Sequence, residues 1–116
     1  MAQEDFYREK RKDRKEQTLR LTERLGADWK IRPMSQRENE EIWRKCGGDA
    51  ERYERVLLAE SVCFPNLKDA ALQNSYHTVG AERLLERLLL AGEYDCLRQA
   101  VEKINGGEAE ECIDSI

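Results

Sequence analysis

One stretch, residues 56–104, holds most of the large aliphatic side chains, and it is cut three times: at Phe64-Pro65-Asn66, at His77-Thr78-Val79-Gly80 and at Ala91-Gly92. Proline steers the residue before it away from helical angles, and glycine readily takes the left-handed conformation that stops a helix. The stretch therefore predicts four short helical segments. In the third, Leu84, Leu85, Leu88 and Leu89 recur at i, i+1, i+4 and i+5, an apolar stripe on one helix face. Tyr94, Leu97, Val101 and Ile104 line the fourth, which Asn105-Gly106-Gly107 ends. Together the two faces predict an αα-hairpin. The leucine stripe has two readings, internal core or part of a groove for a partner helix.

The period changes upstream. Thr18-Leu19-Arg20-Leu21-Thr22 and Trp29-Lys30-Ile31-Arg32 alternate apolar and polar around Gly26 and Asp28, which predicts a β-hairpin near residues 17–33. A lone hairpin is marginal in water, so the face made by Leu19, Leu21, Trp29 and Ile31 must lie on the helices. A helix through Leu21 and Leu25 is the competing pattern. Ser35-Gln36-Arg37-Glu38 is a capping box opening a helix with Ile42, Trp43 and Cys46 on one stripe, stopped by Gly47-Gly48. Asp49 caps the next helix, with Tyr53, Val56, Leu57 and Cys63 as its buried face and Pro65 as its end. Asn66 is read as the cap of the short helix that follows, from Lys68 to Tyr76, with Leu67, Ala71, Leu72 and Tyr76 as its apolar set. The fold class is thus mostly α: about five to six helices with one short hairpin in a single domain over residues 17–106. A charged helix or arm, residues 1–16, precedes it, and an acidic tail expected to be disordered, residues 107–116, follows.

Charge narrows the function classes. The 116 residues carry a net charge of -4, which does not suit a general nucleic-acid binder. From Arg8 to Lys15, however, six of eight residues are basic. That arm is either an anion-binding element or a solvated helix end, its Glu9 and Asp13 standing at helical spacing to basic neighbours. No run approaches the ~18 apolar residues that span a bilayer, and the first residues lack a signal-peptide layout, so a cytoplasmic protein is expected. Cys46, Cys63, Cys96 and Cys112 form no CxxC pair; the first three are read as small apolar residues on helix faces.

No reaction is written in the residues. His77 is the sole histidine and has no carboxylate at triad or metal-ligand spacing, so a turn role is expected. Asp69 and Glu93 stand near predicted helix starts, where capping accounts for them. Gly47-Gly48 and Gly106-Gly107 lack the lysine and strand context of a phosphate loop. The expected protein is a binding protein without cofactor or metal, not an enzyme.

Six pieces occur in order across residues 18–106: WKIRPMSQRE (29–38), SVCFPNLKD (61–69), ALQNSY (71–76), GAE followed by Leu84-Leu85, LLAGEY (89–94) and VEKING (101–106). In this ordered set the chain resembles the XkdN-like phage tail assembly chaperones of contractile-tailed phages and related prophage elements. The resemblance implies a non-enzymatic role in tail morphogenesis, in the host cytoplasm. Such a chaperone binds the tape measure protein, keeps its long apolar helix soluble, recruits tail tube subunits and is absent from the finished particle. It also implies glycine where His77 stands, proline where Ala91 stands, and a longer segment between Cys46 and Tyr53. The expected contact surface is the turn Phe64-Pro65-Asn66-Leu67 with Leu72, Tyr76 and Tyr94, where a rigid proline fixes the angle between two large apolar residues. The alternative is that Phe64 and Leu67 close one end of the core. The competing function is a small nucleic-acid-binding regulator that uses the basic arm.

Overall fold

The structure, a computed structural model, describes Gln3 and residues 16–21 and 27–106. The basic arm, most of the hairpin turn with Gly26, and the acidic tail with Cys112 lie outside the described residues.

The hairpin forms where the alternating pattern places it. Strands β1 (Gln17–Leu19) and β2 (Trp29–Ile31) pair antiparallel, with Gln17 opposite Ile31 and Leu19 opposite Trp29. Trp29, Ile31 and Leu21 are buried and Leu19 packs against the same cluster, so this face lies on the helices, as a hairpin without support of its own requires.

Five helices follow among the described residues: α1 (Gln36–Lys45), α2 (Ala50–Ser61), α3 (Ala70–Ser75), α4 (Ala81–Leu88) and α5 (Ala91–Ile104). The capping box of α1 is complete: the Glu38 amide donates to Ser35 Oγ at 3.2 Å, and the Ser35 amide donates to Glu38 Oε1 at 3.2 Å. Gly47 and Gly48 take φ of +60° and +85° and turn the chain, after which Asp49 Oδ1 accepts from the Glu51 and Arg52 amides. Both are the breaks that a side chain with a β-carbon resists. Helix α2 is the central element, lying against α1, α4, α5 and the sheet. Its Leu58 and Ala59, with Leu84, Leu85, Leu97, Val101, Ile104 and the hairpin residues, make one core.

Several local expectations are corrected. Helix α2 ends at Ser61, four residues before Pro65, and Val62–Phe64 forms a third strand, β3, antiparallel to β2 in the order β1-β2-β3. The run Val62-Cys63-Phe64 is apolar and too short to carry a period of its own, and β2 has an edge to fill. Cys63 is therefore a strand residue rather than part of a helix face. The buried face of α2 is Leu58, Ala59 and Ser61, whereas Tyr53, Val56 and Leu57 are half-buried. Trp43 is 45% exposed and meets Tyr53 edge to face, with ring centroids 5.1 Å apart. The cap of α3 is Asp69, whose Oδ1 accepts from the Ala71 amide at 2.9 Å; Asn66 makes a turn one step earlier by accepting from the Lys68 amide. The break between α4 and α5 falls at Leu89-Leu90, and Ala91-Gly92 already belong to α5. Glu93 fixes that start by accepting from the Leu90 amide at 2.7 Å. Helices α4 and α5 both pack on α2, so the two apolar faces from which an αα-hairpin is predicted meet in a core shared with α2. Cys96 is exposed, not apolar packing.

Candidate functional site

The sequence points to the segment between α2 and α3, and its geometry is set by one extra residue. Across the β2–β3 pair, Ile31 stands opposite Val62 and Lys30 opposite Phe64, with a register shift between them. Cys63 is thus a bulge. Residues two apart in a regular strand share a face, so Val62 and Phe64 would both point inward. The bulge breaks that parity: Val62 stays with buried Ile31, while Phe64 joins Lys30 on the solvent side and is 51% exposed. A large aromatic ring is thereby held out at the end of an edge strand.

Below it, the loop is fastened from within. Leu67 is 2% exposed and belongs to the core. Gln73 clamps both ends of α3: its side-chain amide donates to the Leu67 carbonyl at 2.8 Å, and its carbonyl oxygen accepts from the Gly80 amide at 3.1 Å. A single glutamine among polar neighbours carries no pattern by which sequence could single it out. Burial, reinforced by the Glu16 carboxylate, pushes the Cys63 thiol above its ordinary range.

The five residues expected to form a contact surface therefore divide. Phe64 and Tyr76 are exposed, Leu72 and Tyr94 are half-buried against the core, and Leu67 is inside it. Leu67 and Tyr94 line different cavities, the first with Arg32 and Cys63, the second with Glu54, Arg55 and Glu86.

A separate cleft, absent from the sequence reading, opens between α1, α2 and α5, with a volume of about 540 Å³. Its floor is apolar, from Met34, Leu57, Leu58 and Val101, and its rim is polar, from Asn39, Tyr53, Glu54, Arg98 and Asn105. The rim groups already serve one another. Tyr53 donates to Asn39, Asn105 Oδ1 accepts from the Met34 amide at 2.7 Å, and Arg98 engages Asp95 at 2.5 Å and Glu102 at 3.1 Å. Hydrogen bonding from Arg98 holds the Asp95 carboxyl below its usual range. Only the wide spacing of residues on three helices brings this cleft together, which is why no local motif announces it.

Among the described residues no group of His, Cys, Asp and Glu is placed to hold a metal ion, and no helix is long and apolar enough to cross a membrane. What the architecture defines is a small helical domain on a three-stranded sheet, with apolar side chains offered to solvent. That architecture is shared with the crystal structure of the protein yqbn, a northeast structural genomics consortium target, at a TM-score of 0.81 over 91% of this chain and 97% of that one. The two are 19% identical, so the likeness is one of fold. No curated protein matches the sequence. The family of phage XkdN-like tail assembly chaperone proteins matches residues 1–116, and the chain belongs to that family.

Proposed function

We propose that this tail assembly chaperone acts on the tape measure protein, holding an apolar helix of it soluble and recruiting tail tube subunits in the host cytoplasm, by binding rather than by catalysis. Family membership supports the setting, and one structural observation carries the site: the Cys63 bulge turns Phe64 to solvent beside Lys30. Exposing a large aromatic ring forgoes the burial that would stabilise the fold. A partner helix laid along the β3 edge would recover it. In this reading Phe64 and Tyr76 make the contact, Leu72 borders it, Tyr94 stands apart with Glu54 and Arg55, and Leu67 anchors the loop so that little ordering is lost on binding.

Co-expression with the tape measure and tail tube proteins, followed by pull-down, tests it. The wild-type chain is expected to retain the tape measure protein in the soluble fraction and to bring down tube subunits with it. Phe64→Ala should weaken that capture while melting stays within a few degrees. Undiminished capture by a folded Phe64→Ala,Tyr76→Ala variant would exclude this surface.

A further inference from the structure

A second surface lies on the outer side of α4, where a cavity of about 750 Å³ is bordered by His77, Val79, Arg83, Glu86 and Arg87 among others. Arg83 and Arg87 stand four residues apart on α4, both exposed, and neither has an ion-pair partner among the described residues. Arg20, Arg32, Arg37, Arg55 and Arg98 each engage a carboxylate. Like charges at this spacing repel, and Arg83 occupies the first turn, where the helix dipole disfavours a cation. The molecule as a whole is acidic, at -4; Arg44 and Arg52 likewise make no ion pair among the described residues, but Arg83 and Arg87 share one cavity, with Glu86 the one carboxylate among the described residues that border it. Two neighbours complete the surface. His77 is held in the left-handed region at φ +53°, its amide donating to the Asn74 carbonyl at 3.0 Å, and Val79 is 77% exposed.

The spacing defines what fits. Four residues of helix rise about 6 Å, so two guanidinium forks at this interval match two carboxylates one turn apart on a facing helix, each accepting in bidentate fashion. Glu86, between them in sequence and 3.5 Å from Arg55, keeps the cavity from being uniformly positive. A continuous row of phosphates would meet that carboxylate, whereas two separate side chains need not. We propose that Arg83 and Arg87, with Val79 beside them, dock an acidic amphipathic helix of a partner protein, carrying carboxylates at i and i+4 and an apolar side chain that covers Val79. The inference stands apart from the Phe64 surface and does not depend on it.

The test uses the full chain and three fluorescent probes in anisotropy titrations: a helical peptide with Glu at i and i+4 flanking a leucine, the same peptide with Gln at both positions, and single-stranded DNA of the Glu peptide's net charge. The Glu peptide should bind, more weakly as salt rises. The Gln peptide, and the Glu peptide on R83Q/R87Q, should each bind about tenfold more weakly, the loss expected of two exposed charge pairs. Far-UV circular dichroism checks the fold of the variant, and amide shifts of the wild-type chain should move on α4 whether or not the variant folds. Equal binding of Glu and Gln peptides, retained binding by R83Q/R87Q, shifts confined to other elements, failure of the Glu peptide to bind, or tighter binding of the DNA would each overturn the proposal.

Discussion

Phe64 and Leu67 are three residues apart and have opposite fates, because a bulge turns one to solvent and the loop after Pro65 drives the other into the core. Removing a buried leucine side chain leaves a cavity as well as losing burial, so Leu67→Ala should cost about 2–5 kcal/mol in urea unfolding. Phe64→Ala, losing a ring already half in water, should cost about 1 kcal/mol or less. Equal losses would mean that Phe64 is packed in solution. His77 offers a second single-residue test. Its φ of +53° suits glycine, the residue that the family resemblance implies at this position. A non-glycine residue held there stores strain, so His77→Gly should raise the unfolding free energy by about 1 kcal/mol. A loss of stability would show that the imidazole makes contacts worth more than the strain.

At the scale of elements, the caps and stripes carry the fold. Glu38 accepts from the Ser35 amide and ion-pairs with Arg32 at 2.9 Å, and these bonds lower its pKa below the ordinary glutamate value. A carboxylate depressed in the folded state contributes stability that is present above the unfolded pKa and lost as pH falls through the folded one. Glu38→Gln should therefore lower stability near neutrality, where the ionised carboxylate contributes in full, and flatten the acid side of the stability–pH curve just below the ordinary glutamate range, the two proteins converging at low pH. An unchanged acid limb would remove Glu38 from the account. Within α4 the stripe is uneven: Leu85 is buried and Leu88 half-buried. Leu85→Ala should cost about 2–5 kcal/mol and Leu88→Ala about 1–2. The reverse order would place α4 in a different rotation on α2.

For the whole molecule, the hairpin and the helices share one core, so they should unfold together. Two tryptophans report on this. Trp29 is 3% exposed between hairpin and helices, and Trp43 is 45% exposed on α1. In a Trp43→Phe background, Trp29 emission should be blue-shifted and its thermal transition should coincide with far-UV circular dichroism. An earlier fluorescence transition would mean that the sheet detaches before the helices melt.

Read alone, the chain determined what depends on near neighbours. Alternation predicted the hairpin, spacing at helical intervals found the stripes of α4 and α5, and the Ser35–Glu38 and Asp49 caps were legible because a cap is made within three residues. Tertiary structure decided what depends on partners far along the chain. Val62–Phe64 became a strand because β2 had a free edge, and no local period could report a neighbour some thirty residues away. For the same reason the exposure of Phe64, the clamp made by Gln73 and the cleft between α1, α2 and α5 were invisible in sequence. The family could be read from ordered short motifs, since these record local turns and caps. That Phe64 faces solvent was settled by a register shift of one residue, and register exists only once strands have paired.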